Sequence, residues 1–159
     1  MDIEIGLPGQ SREDIGRMLN LFLADQHVLY IKTRNYHWNV VGPHFHSLHE
    51  FLEDQYEMLA DEIDEVAERV RQLGVQANAT MTEFVDRARL REEPGVVPDA
   101  TTMLKNLLHD HETVIVQLRK DIDRCADELN DAGTADLLTG IMEKHEKQAW
   151  MLRAHLEEA

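Results

Sequence analysis

The sequence predicts an all-α protein, and three properties of the 159-residue chain support this fold class. Hydrophobic residues form 43% of the chain, which is typical of a globular protein with a packed core. These residues recur at steps of three and four, the spacing of one helix face, rather than in the alternation of a strand. Only four prolines and eight glycines break the pattern. The length fits a single domain over residues 1–159.

The first half of the chain is predicted to contain a short tail and two long helices. Residues 1–10 form the tail, and Ser11 is expected to cap the first helix because a Ser-x-x-Asp pattern begins there. This helix runs to about residue 38. The second helix begins at about residues 44–47, after a Gly-Pro break, and ends before Gly74.

The second half is predicted to contain a long connection and two more helices. The connection covers residues 75–98 and includes a short helix near residues 81–90. A third long helix, capped by Asp99 or Thr101, continues to about residue 130, and a fourth covers roughly residues 134–157. Four long helices with one long crossover describe a ferritin-like four-helix bundle.

The charge of the chain restricts its partners. A net charge of −15 and the lack of a segregated basic patch predict repulsion of nucleic acid phosphates and anionic lipids. No apolar run approaches the ~20 residues that span a bilayer, and the N-terminus lacks the pattern of a signal peptide. We therefore expect a cytoplasmic protein with no membrane association. The single cysteine, Cys125, is expected to be a small buried apolar residue.

The segment over residues 37–68 gives the clearest functional signal. Between residues 50 and 68 there are nine acidic side chains and no Lys or Arg. Like charges four apart on a helix, such as Asp64 and Glu68, repel by roughly a few tenths of a kcal/mol unless a cation lies between them. The candidate metal-binding and catalytic residues are His37, His49, Glu53, Asp64 and Glu68.

Helix geometry divides these residues into two half-sites. The four on the second helix share a face about a third of a turn from its apolar stripe. Glu53 and Asp64 have the same azimuth but ~16 Å of rise between them, so one ion cannot contact both. An antiparallel copy of the helix from a second chain would set His49 and Glu53 opposite Asp64 and Glu68, twice in a twofold dimer. His37 continues the buried stripe of the first helix four residues after Thr33, so it is expected to point inward or along an interface and would join from the end of that helix.

The ligand types are compatible with several metals. Two imidazoles and three carboxylates suit iron, manganese or zinc, and they do not separate iron from zinc. A di-iron centre within one bundle needs Glu-x-x-His on two helices. No histidine here has a glutamate three residues before it, which favours the site between chains.

Two segments match a known family in residues and spacing. The first contains His37-Trp38-Asn39, Gly42, Phe45, Leu48-His49-Glu50, Glu53, Asp64 and Ala67-Glu68-Arg69; the second contains Thr134-Ala135-Asp136-Leu137-Leu138, His145-Glu146-Lys147 and Ala149-Trp150-Met151. The sequence thus resembles the Dps proteins, the mini-ferritins of starved bacterial cells. The likeness covers all four helices.

The resemblance implies a hollow dodecamer built from dimers, with two ferroxidase centres at each dimer interface. Iron(II) would be oxidised preferentially by hydrogen peroxide and stored as ferric mineral inside the shell, which would protect DNA from oxidative damage. His37, His49 and Glu53 would come from one subunit, and Asp64 and Glu68 from its partner. Zinc or manganese would fit the same site.

The resemblance also bears on residues around the five ligands. Trp38 would pack beside the centre, whereas Trp150 is expected in the core. Asp131 and Asp136 lie where the family lines its threefold pores with acids, and an N-cap or surface role is the alternative. Glu53 stands where aspartate is commoner, so its carboxylate has a longer arm.

The remaining histidines carry weaker signals. His46-x-x-His49 has the spacing of a metal pair, but solvent-facing or capping roles are expected for His44 and His46. His109 and His111 lie on different helix faces, so a joint ligand role is not expected. Structural or surface roles are expected for the other three histidines, which are His27, His145 and His155.

Two other functions stay open. One is a DNA-compacting shell with a weak oxidase site, and the other is a zinc- or manganese-binding helical oligomer without redox turnover. The absence of a lysine-rich tail argues against the first and predicts no strong direct DNA binding unless divalent ions bridge the charges. Only the family resemblance argues against the second.

Overall fold

The computed structural model describes residues 3–157, and this range contains helices and loops but no strands. The four long helices are α1 (Gly9–Asn39), α2 (Phe45–Gln72), α4 (Ala100–Asp123) and α5 (Ala132–Leu156), and the short helix α3 (Met81–Arg87) lies in the crossover. The predicted all-α class is confirmed. Within the described residues, no helix combines the length and the apolar character that crossing a membrane requires.

The start of α1 corrects the expected cap. Ser11 lies inside the helix, which begins at Gly9 with Pro8 in the N-cap position. The backbone N–H of Arg12 donates to the Pro8 carbonyl over 3.1 Å and closes the first turn. Proline is compatible with a helix start because its φ is already near the helical value and its missing N–H is not needed there. The Ser-x-x-Asp pattern was therefore a wrong predictor of the cap.

The N-terminal tail packs against the end of α2. Leu7 of the tail packs against the hydrophobic core, and at the start of α1 the Arg12 guanidinium donates to the Leu73 carbonyl over 3.0 Å. Gly74 follows α2 with a φ of +81°, and a Cβ there would meet the Ile3 side chain. Glycine thus both permits the left-handed turn and makes room for the tail.

The third long helix ends earlier than expected. α4 gives way at Arg124–Glu128 to a π-helical turn, in which the Leu129 N–H donates to the Arg124 carbonyl over 3.0 Å. Asn130 then takes a φ of 54° and reverses the chain. Asp131 caps α5 by accepting from the Thr134 N–H over 3.0 Å.

The core lies between two helix pairs, since α1 packs along α2 and α4 packs along α5. Its largest fully buried side chains come from all four long helices and from Leu73, directly after α2. They include Phe22, Ile15, Leu19, Leu29, Leu52, Leu59, Met103, Leu107, Leu118 and Leu138. Buried ion pairs connect the helix pairs. Lys32 binds Asp110 between α1 and α4, and Arg69 binds Asp131 over 2.9 Å at the far end.

Candidate metal centre

Two histidines meet where α1 ends and α2 begins. His37 is only 6% exposed and His49 is half-buried, and their rings stack with centroids 3.7 Å apart. His37 Nδ1 lies 2.8 Å from the His49 carbonyl oxygen, and His49 Nδ1 lies 2.8 Å from the His37 carbonyl oxygen. Of the two expected positions for His37, inward or along an interface, the single chain shows the inward one.

These reciprocal contacts determine which ring nitrogen carries the proton. A carbonyl oxygen can only accept, so each Nδ1 must be the protonated nitrogen that donates. In a neutral imidazole this leaves a lone pair on Nε2, the form that binds a metal ion. A backbone carbonyl holding the other ring nitrogen is the usual outer support of a metal-binding histidine. His37 and His49 therefore each carry an Nε2 lone pair of the kind that binds a metal ion.

Glu53 lies one turn after His49 on the same helix and is half-buried. The Tyr56 hydroxyl donates to Glu53 Oε1 over 3.1 Å. Burial and then this hydrogen bond raise the pKa of the Tyr56 phenol, so it stays protonated and remains a donor at neutral pH. The sequence signal for this contact was only the i, i+3 spacing of the two residues on one helix.

Asp64 and Glu68 lie further along α2, and both are exposed. Because α2 is continuous from Phe45 to Gln72, the expected ~16 Å of rise separates Asp64 from Glu53. Within residues 3–157, no three His, Cys, Asp or Glu side chains of one chain are arranged to hold a metal ion. One chain brings His37 and His49 together but leaves Asp64 and Glu68 apart from them.

The two tryptophans both face outward in the single chain. Trp38 is 64% exposed, and the Arg34 guanidinium carbon lies 4.7 Å from its ring centroid. Trp150 is 62% exposed, so its predicted place in the core is wrong for the isolated chain. Helical spacing explains the difference, because Ala149 and Leu152 take the buried positions around it.

The two candidate pore acids have different surroundings. Asp131 is 4% exposed, caps α5 and pairs with Arg69, so the structure gives it the N-cap role that was the alternative. Burial acts to raise the pKa of its carboxyl group, but the hydrogen bonds that it accepts from Thr134 and Arg69, together with the Arg69 charge, lower this pKa overall. Asp136 is exposed on α5. Its pore role stays a prediction.

The histidines at the start of α2 face solvent. His44 occupies the N-cap position without a side-chain hydrogen bond to the helix. The imidazole of His46 is 83% exposed, and its Nε2 lies 3.5 Å from the Glu50 carboxylate. These surroundings agree with the expected solvent-facing roles.

Sequence reasoning missed a polar chain in the bundle core. Glu62 of α2, His145 of α5 and His111 of α4 are each 0% exposed. Nδ1 atoms of the two histidines lie 2.8 Å apart, and His145 Nε2 lies 3.2 Å from Glu62 Oε2, within ion-pair distance but outside good hydrogen-bond geometry. Glu62 was counted in the acidic run, yet it follows Leu59 by three residues and Gln55 by seven, on the apolar stripe.

Burial controls the protonation of this core chain. Desolvation, followed by the neighbouring His145, holds the pKa of His111 well below its ordinary value, so His111 is neutral. Gln26 and Gln55 are also 0% exposed, and their amides find no partner among the described residues. Lys144 approaches Glu62 Oε1 to 3.9 Å from the helix surface. The core therefore carries a buried carboxylate with few compensating groups.

Comparison with known proteins identifies the family of this bundle. A family model described as a ferritin-like domain matches residues 17–159. A DNA protection during starvation protein from Bacillus anthracis is 40% identical over 141 residues, which cover 89% of this chain and 95% of the relative. The chain belongs to the Dps family. The ferritin-like fold predicted from the helix pattern is thereby confirmed.

Two further matches span nearly the whole chain. A low-temperature-induced protein from Nostoc sp., itself uncharacterized, is 50% identical over 155 residues, or 98% of this chain and 87% of that protein. The solved Dps structure from Vibrio cholerae O1 has a TM-score of 0.91 at 30% identity and covers 99% of this chain and 98% of its own. That Vibrio protein is described as a member of a broad superfamily of ferritin-like diiron-carboxylate proteins.

Proposed function

We propose that this Dps-family chain is an iron-storage and detoxification protein that oxidises iron(II) at centres shared between two subunits. His37, His49 and Glu53 of one subunit would bind the metal together with Asp64 and Glu68 of the partner subunit. The observation that supports this most strongly is the reciprocal pair of hydrogen bonds, His37 Nδ1 to the His49 carbonyl and His49 Nδ1 to the His37 carbonyl. With both Nδ1 atoms bound to backbone carbonyls, each neutral ring keeps a lone pair on Nε2.

The need for two subunits follows from the incomplete half-sites. One chain supplies two nitrogen ligands and one carboxylate at one end of α2, and it supplies two exposed carboxylates about three turns later. An antiparallel α2 across a twofold axis would join the two halves and form two equal centres per dimer. Closed assembly of such dimers into a dodecamer belongs to the same proposal.

The proposed reaction uses iron(II) as the substrate and hydrogen peroxide as the oxidant. Each of two iron(II) ions gives one electron, the O–O bond of peroxide breaks, and two protons are taken up to form two water molecules. Paired electron transfer avoids the release of hydroxyl radical, which supports a role in protecting DNA from oxidation. The three carboxylates stabilise the iron(III) product because oxygen anions are hard ligands.

Direct DNA binding is not part of the proposed function. The chain carries a net charge of −15, and the described residues before α1 contain no Lys or Arg and pack with Ile3 beside Gly74 and Leu7 against the core. Phosphate repulsion then opposes binding unless divalent cations bridge the charges. Saturable nanomolar binding in a gel shift at physiological salt without divalent ions would contradict this.

Iron(II) loading under anaerobic conditions, followed by peroxide, tests the proposal. Wild type should oxidise the bound iron rapidly, and His49→Ala and Asp64→Ala should both lose this phase, although the two residues lie far apart in one chain. Unchanged kinetics in both variants would refute the centre. Zinc or manganese binding without iron turnover would instead favour a metal-binding oligomer without redox function.

A further inference from the structure

Tyr56 contacts two members of the half-site, Glu53 and His37, and is not itself one of the proposed ligands. Its hydroxyl donates to Glu53 Oε1 over 3.1 Å. Within residues 3–157, no basic side chain pairs with Glu53, and Tyr56 supplies the side-chain hydrogen bond that its carboxylate receives. A carboxylate has two oxygens, so this bond occupies one lone-pair direction and leaves Oε2 open.

The Tyr56 ring is itself held by side chains of α1. The His37 ring meets it edge-on at a centroid distance of 5.2 Å and an interplanar angle of 76°. Tyr30 meets it in the same way at 6.1 Å, and the Arg34 guanidinium carbon lies 5.6 Å from its centroid. Edge-to-face contacts of this kind favour this position of the ring. Tyr56 therefore connects Glu53 of α2 to the helix that provides His37.

The length of the Glu53 side chain explains why such a contact matters. A glutamate has one more rotatable bond than an aspartate, so an unheld carboxylate is spread over more positions. Metal binding would then have to select one of these positions and lose affinity in doing so. A fixed hydrogen bond from Tyr56 removes that cost before the metal ion arrives.

We infer that Tyr56 is a positioning residue that orients the Glu53 carboxylate for metal binding in the half-site with His37 and His49. The inference rests on the proposed function, because it concerns the same centre. Tyr56 acts through Glu53 and does not contact the metal. Losing the outer hydrogen-bond partner of a metal ligand typically weakens metal affinity by about 10–100-fold.

Anaerobic titration of the full-length oligomer with cobalt(II), followed by the visible absorption of the bound ion, tests this inference. Tyr56→Phe removes the hydroxyl and keeps the ring, and we expect about tenfold weaker cobalt binding with a changed absorption band. Tyr30→Phe is the matched control, because the Tyr30 hydroxyl accepts from Arg34 over 3.0 Å and does not contact Glu53. We expect Tyr30→Phe to bind cobalt as wild type does.

A double-mutant cycle separates positioning from a general structural effect. In a Glu53→Ala background there is no carboxylate to orient, so adding Tyr56→Phe should cause no further loss of cobalt affinity. The same loss in both backgrounds would show that Tyr56 acts by another route and would overturn the inference. Equal affinities of wild type and Tyr56→Phe would also overturn it.

His49→Ala distinguishes failure of the inference from failure of the proposed centre. If His49→Ala loses cobalt binding and Tyr56→Phe does not, the centre stands and the role of Tyr56 is rejected. If His49→Ala binds cobalt as wild type does, the proposed centre is wrong, and the positioning role is rejected with it.

Discussion

The chain contains two groups of histidine and carboxylate that differ in what surrounds them. The core chain of Glu62, His145 and His111 is fully buried, and its one internal hydrogen bond joins the two histidines, while His145 Nε2 approaches Glu62 without hydrogen-bond geometry. The half-site of His37 and His49 turns its Nδ1 atoms to backbone carbonyls. The core chain lies wholly inside one subunit, whereas the half-site lies where α1 ends and α2 begins, with an Nε2 lone pair on each of its two rings.

The difference shows that residue type alone does not make a metal centre. In the core chain, His111 Nδ1 and Glu62 approach opposite nitrogens of the His145 ring, so a single ion cannot contact all three. In the half-site, backbone carbonyls accept from Nδ1 of both rings, so the Nε2 atom of each ring stays available. The core group is expected to affect stability, and the half-site is expected to affect iron chemistry.

The largest effect is expected from removing the middle of the core chain. Among residues 3–157, His145→Ala leaves Lys144, at 3.9 Å, as the remaining basic partner of the buried Glu62 carboxyl group. Breaking a buried pair in this way costs about 3–5 kcal/mol. Thermal unfolding should show a clearly lower Tm for His145→Ala, and Glu62→Gln/His145→Ala should recover part of it. An unchanged Tm would mean that the core chain does not compensate Glu62.

The next effect concerns activity rather than stability. His49→Ala should lower the initial rate of peroxide-driven iron(II) oxidation by about 100-fold, since losing a ligand costs at least as much as losing its outer support. Its Tm should stay near that of wild type. His46→Ala is the control, because that imidazole is exposed and its loss should leave the rate unchanged. A slow His46→Ala would imply a different ligand set.

The pH dependence of stability should come from the core. The pKa of folded His111 is held well below 6.5 by burial, whereas the unfolded residue takes up a proton near 6.5. The unfolded state therefore binds more protons below about pH 6.5, and stability falls as pH falls, by up to about 1.4 kcal/mol per pH unit from this group. Tm measured from pH 7 to pH 5 should decline less steeply in His111→Leu than in wild type or His46→Gln.

The smallest effect is expected when the whole core chain is made apolar. Glu62→Leu/His111→Leu/His145→Leu removes the buried charge together with its partners, and such replacements are often neutral or stabilising. We expect an unchanged or higher Tm and a wild-type rate of iron oxidation. A lost rate in a folded triple variant would show that the core chain takes part in the iron chemistry.

The apolar stripe of α2 explains how much the sequence could predict. Apolar residues at steps of three and four predicted which side of α2 packs in the core. The position of that side then predicted that His49, Glu53, Asp64 and Glu68 share a second face. His37 was predictable from the continued stripe of α1. Its stacking on His49 was not, because the bend between α1 and α2 depends on tertiary packing.

Other features were hidden for specific physical reasons. Glu62 sits on the apolar stripe, but eight other acids around it made it look like part of a charged surface. The π-helical turn at Arg124–Glu128 adds a residue that helical periodicity cannot detect. Ser11 had the pattern of a cap, and the backbone around Pro8 began the helix earlier.

Complementation between two inactive variants tests the shared centre most directly. Co-expression of His49→Ala and Asp64→Ala subunits with different tags allows mixed oligomers to be purified. In each mixed dimer one centre would carry both defects and the other none, so random pairing should restore about a quarter of the wild-type rate of iron oxidation. Mixed oligomers that stay as inactive as their parents would contradict a centre built from two subunits.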